Sequence, residues 1–100
     1  MTTETLKYKN VIADYFKSQP ILKAYLFGSV SRGDSRKDSD IDILVELDKQ
    51  VDLFQLVSIK LYLEKILKKT VDLISTKAVH PRLKSSIDKD KTLIYEKSLI

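Results

Sequence analysis

Two short segments of the 100-residue chain carry residues whose types and spacing suit phosphate and metal chemistry. The first is Gly28-Ser-Val-Ser-Arg-Gly33, which holds both glycines of the sequence. Gly28, lacking a Cβ, lets the backbone bend sharply and lets a bulky ligand approach closely. Ser29 stands at the start of a predicted helical turn, where free N–H groups and a hydroxyl can hold phosphate oxygens. Arg32 lies about one turn further on and can add a guanidinium to the same anion, while Gly33 suits a left-handed end to that turn. The second segment is Asp40-Ile-Asp42. Carboxylates two apart on a strand emerge on one face, about 6 to 7 Å apart along the chain. That pair suits Mg²⁺, a hard cation that also takes the phosphate oxygens of a nucleoside triphosphate.

A metal that activates an attacking hydroxyl needs a further ligand, and the hydroxyl proton needs an acceptor. Asp72 is the candidate for either role. It interrupts the apolar run Val71-Asp-Leu-Ile74, where a charge is costly unless it coordinates something, and it converges with Asp40 and Asp42 if the two strands are neighbours. The Asp-x-Asp spacing alone says little, since it occurs three times (Asp38/Asp40, Asp40/Asp42, Asp88/Asp90). Its information lies in the fixed distance from Gly28-Ser29. His80 is the only histidine, so a histidine triad or histidine-rich metal centre has no material; before Pro81 it reads as a loop or capping residue.

The elements that must position these residues follow from periodicity. Tyr8, Val11, Ile12, Tyr15 and Phe16 mark an amphipathic helix from about Thr3 to Ser18, ended before Pro20. Ile21 to Phe27 is an apolar strand, and Asp40 to Leu47 alternates and then becomes continuously apolar, as a largely buried strand does. Asp52 is a candidate N-cap for a second helix reaching about Lys69. Leu56, Ile59, Leu63, Ile66 and Leu67 lie on one side of it, and Lys60, Glu64 and Lys68 on the other. Thr70 to Ser75 is a short strand, a helix is expected around Arg82 to Asp88, and Thr92 to Tyr95 is a candidate edge strand. Counting the turn after Gly28, the order α-β-α-β-α-β-α-β predicts an α/β or α+β fold with one sheet layered by helices.

Composition narrows the class. The length and a 43% hydrophobic content support one core and a single domain over residues 1–100. The absence of cysteine removes disulfide scaffolds, thiolate metal sites and thiol nucleophiles. The first ten residues are polar and no run approaches about 18 apolar residues, so the expectation is a cytoplasmic protein without a membrane span. The net charge of +4 is spread from Lys7 to Lys97 without interleaved aromatics, and reads as solvated surface rather than a nucleic-acid site.

Gly28-Ser29, ten intervening residues and Asp40-Ile-Asp42 resemble the signature of the DNA polymerase β type nucleotidyltransferases. The longer string from Gly28 to Val45, with the later Val71-Asp-Leu-Ile74 strand and the His80-Pro-Arg-Leu83 segment, is similar to the minimal nucleotidyltransferases (MNT). Ser31 departs from the alanine common there. The resemblance implies an antitoxin paired with a helical HEPN ribonuclease toxin, transferring AMP from ATP to a tyrosine of that toxin within a hetero-oligomer. It implies that Gly28 and Ser29, with Arg32, hold the triphosphate, that Asp40 and Asp42 bind two Mg²⁺ ions, and that Asp72 completes the metal site or takes the hydroxyl proton. Two other readings stay open: an antitoxin that neutralises by occlusion alone, and nucleic-acid binding through the basic surface.

Overall fold

The computed structural model describes residues 3–28, 40–48 and 51–97. The predicted turn from Ser29 to Gly33 lies outside these residues. Helix α1 (Thr3–Phe16) leads into β1 (Ile21–Phe27); β2 (Ile41–Leu47), α2 (Leu53–Leu67) and β3 (Val71–Ser75) form a parallel crossover unit; a single 3-10 turn (Thr76–Ala78), α3 (Pro81–Asp90) and β4 (Thr92–Glu96) complete the chain. The sheet runs β3-β2-β1-β4. β1 is antiparallel to β2 and to β4, whereas β2 and β3 are parallel, so the sheet is mixed and β4 is an edge, as expected.

Local chemistry accounts for the boundaries. Asp52 caps α2, its Oδ1 accepting from the Gln55 amide at 2.7 Å, and Lys68 ends the helix in the left-handed region at φ 56°, a place more often given to glycine. Helix α1 stops at Phe16 rather than Ser18. Helix α3 is longer than expected because Pro81 fits its first turn and His80 Nδ1 accepts from the Arg82 amide at 3.1 Å; His80 is the cap anticipated for it.

The sheet divides two environments. Ile41, Ile43 and Val45 of β2, Ala24 and Leu26 of β1 and Val71 of β3 are fully buried. They pack with Ile12 and Phe16 of α1 and with Ile59, Leu63 and Leu67 of α2 in one core. Ile66, expected among the inward residues of α2, is exposed instead: it lies on the flank of the helix, and the inward line is the i, i+4, i+8 series of Ile59, Leu63 and Leu67. The alternate residues of β2, namely Asp42, Leu44 and Glu46, point to the opposite face, where α3 covers only part of the sheet: Leu44 and Ile87 line one cavity beneath it. No helix among the described residues is long and apolar enough to cross a membrane.

Candidate active site

The less covered face of the sheet gathers the acidic residues at one end. Parallel pairing puts Asp42 directly beside Asp72, and antiparallel pairing puts Asp42 beside Phe27 on its other side. Register partners share a face, so residues thirty positions apart in sequence project together. Asp40 stands just ahead of β2 and is exposed. Two contacts hold the entrance of β3 in line with that of β2. The Ile41 amide donates to Thr70 O at 2.9 Å, and the Val71 amide donates to Glu64 Oε2 at 2.9 Å.

The sequence places Glu64 on the polar side of α2, four residues from Lys60 and from Lys68. It does pair with Lys60, at 3.1 Å, but the same oxygen also anchors the residue before Asp72. The two hydrogen bonds, the Val71 amide foremost, lower its pKa. Nothing in helical spacing signals a bond to a strand seven residues on; the acidic residue in the turn before the helix end was the only trace.

Gly28 follows Phe27 at the end of β1 with φ of 75°, a conformation that side-chain-bearing residues rarely adopt. A Cβ added there would run into Asp42 Oδ2. The glycine therefore leaves room for the carboxylate as well as for a ligand. Burial, and then the charges of Asp72 and Asp40, push the Asp42 carboxyl from its ordinary 3.8 up to about 6. A carboxylate crowded by two others gains from a cation between them.

Among the described residues no three His, Cys, Asp or Glu side chains already form a metal cluster. The donor set nevertheless fits Mg²⁺, which is ordinarily held by one or two carboxylates, with waters and substrate phosphates completing the octahedron. Asp42 and Asp72 are adjacent by register, and Asp40 is close enough to raise the Asp42 pKa. Of the residues singled out in the sequence, Gly28, Asp40, Asp42 and Asp72 are thus brought together; Ser29 and Arg32 lie outside the described residues.

The family model for polymerase β nucleotidyltransferases matches residues 10–99. The chain belongs to this family. The nucleotidyltransferase is 42% identical over 92 residues to the Methanocaldococcus jannaschii protein MJ1379, covering 89% of this chain and 87% of that one; the relative carries a protein adenylyltransferase name. A solved structure described as a minimal nucleotidyltransferase superposes with a TM-score of 0.77 at 31% identity, over 92% of this chain and 95% of the other. A chain in the complex of a tri-AMPylated Shewanella oneidensis HEPN toxin with an MNT antitoxin shares the fold at a TM-score of 0.72 and 21% identity, over 93% of this chain and 73% of that one. The nucleotidyltransferase fold expected from the motif is the fold present.

Proposed function

We propose that this nucleotidyltransferase is an antitoxin that transfers AMP from ATP to a tyrosine hydroxyl of a cognate HEPN toxin. The single observation that carries the reading is the side-by-side register of Asp42 and Asp72 next to Gly28, a carboxylate pair at the mouth of the segment where Gly28-Ser29 and Arg32 would hold the triphosphate. The protein adenylyltransferase name of a close relative and the AMPylated toxin complex of a fold neighbour support the choice of AMP and of partner.

In this reading the tyrosine Oη attacks the α-phosphorus in line, an O–P bond forms, the bond to the β-phosphate oxygen breaks, and pyrophosphate leaves. Asp72 would complete the metal site or take the hydroxyl proton, while Asp40 and Asp42 would hold the two Mg²⁺ ions. When bound, those ions neutralise charge on the attacking and departing oxygens. On the β1 side Phe27 is the register partner of Asp42, and Gly28 leaves the space that its carboxylate fills.

Intact mass of the cognate toxin after incubation with ATP, Mg²⁺ and this protein tests the reading. The expected gain is one or more adenylates, absent with Asp40→Asn plus Asp42→Asn. Full neutralisation by that folded double variant, without added mass on the toxin, would replace transfer by occlusion.

A further inference from the structure

Beneath α3, on the sheet face that carries Asp42 and Asp72, lies a cavity of about 580 Å³, within the range of about 300–1,000 Å³ common for small-molecule sites. Leu44 and Tyr25, partners across β2 and β1, form its floor. Ile87 of α3 and Val79 add apolar surface, and Glu46 and Thr76 supply polar groups. Lys91, 3.0 Å from Asp88 Oδ1 and 4.7 Å from the centroid of the Tyr25 ring, ties the end of α3 to β1. Glu46 is half-buried, and its carboxylate takes part in no hydrogen bond or ion pair among the described residues.

We infer, on the reading that ATP is the donor, that this cavity receives the nucleoside half of ATP and that Glu46 accepts a hydrogen bond from the 6-amino group of adenine. The order of groups across the sheet sets the direction. Asp72 on β3, Asp42 on β2 and Gly28 at the end of β1 stand side by side, so attack from the Asp72 side and departure of pyrophosphate toward Gly28 lie on a line across the strands. The ribose arm leaves the α-phosphorus at a steep angle to that line, which turns it along the strands. From Asp42 the same face of β2 continues through Leu44 to Glu46, about 13 Å on, a span that a nucleoside and the Glu46 side chain cover together. The base then lies against Leu44 and Tyr25, which remove its apolar surface from water. At the far end a carboxylate, which only accepts, selects a base edge that presents a donor.

Equilibrium binding of ATP and of purine riboside triphosphate, which lacks only the 6-amino group, tests the assignment in the full chain with Mg²⁺. The wild type is expected to bind ATP about tenfold more tightly than the analogue, as one hydrogen bond to a charged group gives. Glu46→Ala is expected to bind ATP about tenfold more weakly than the wild type does, with its affinity for the analogue unchanged. Equal affinities in the wild type, or a Glu46→Ala variant that loses both nucleotides alike, overturn the assignment and leave the donor reading standing wherever the wild type still adds AMP to the toxin. Failure of the wild type to bind either nucleotide overturns the donor reading and the assignment together.

Discussion

The carboxylate of Asp42 occupies the space into which a side chain at residue 28 would grow. Gly28 and Asp42 are therefore one unit, and replacing the Gly28 hydrogen with a methyl group displaces the Asp42 carboxylate. Gly28→Ala is expected to cost about 1–2 kcal/mol of stability through the positive φ and the clash, and to slow AMP transfer about 100-fold by moving the carboxylate roughly 1 Å. Chemical denaturation of the single variants and of Gly28→Ala in an Asp42→Ala background checks the linkage. The glycine substitution is expected to cost less by at least about 0.5 kcal/mol once the carboxylate is gone.

Asp42 also predicts a stability penalty that serves the chemistry. Its pKa is raised in the folded chain, from 3.8 to about 6, so the fold favours its protonated form. That favourable contribution is fully present below pH 3.8 and is lost as pH rises through 6. Asp42→Asn is therefore expected to stabilise the metal-free protein above pH 6, by about 1 kcal/mol once solvent screening is allowed for, and to give no advantage near pH 3.5. Denaturation across that pH range checks the sign. Adding Mg²⁺ is expected to reverse the order by stabilising only the wild type.

Glu64 has the opposite sign. Its pKa is lowered, chiefly by the Val71 amide and then by Lys60, so the stabilisation it gives is present above its ordinary 4.5 and is lost as pH falls through the lowered value. Glu64→Gln is expected to lower the melting temperature at neutral pH and to lose that effect in acid. The entrance of β3 would loosen beside Asp72, reducing kcat several-fold while leaving the KM for ATP nearly unchanged. An equal change in both kinetic constants would argue against a positioning role.

Two leucines two residues apart on α2 separate core from surface. Leu63 is fully buried and Leu61 is 56% exposed. Leu63→Ala is expected to cost about 2–5 kcal/mol through lost burial and a residual cavity, whereas Leu61→Ala should fall within about 0.5 kcal/mol. Equilibrium unfolding of the two variants distinguishes them.

Much of the scaffold was legible because it rests on local signals. The β1 boundaries, the Asp52 and His80 caps and the β3 strand follow from alternation, capping chemistry and an apolar run, but Asp72 is exposed on an edge strand, so its charge there carries no cost of burial. The convergence of Asp72 on Asp42 was legible only as a condition, that two strands be neighbours, and the parallel register meets it. What sequence could not show is contact between residues that no period relates. Glu64 reaching the Val71 amide, and Asp42 filling the space beside Gly28, depend on how three strands and a helix end are stacked. The spacing puts Ile66 within one helical step of the inward side, and only the packed structure shows that the buried line runs through Ile59, Leu63 and Leu67 instead.

The parallel pairing of β2 and β3 also works as a proofreading device. A strand that slips by one residue turns every side chain to the opposite face. Such a slip in β3 would drive the Asp72 carboxylate among Ile59, Leu63 and Ile43 and push Val71 into water. The same hydrophobic burial that closes the core thus rejects the misaligned chain, so that any molecule whose interior is sealed already has its two acidic residues abreast.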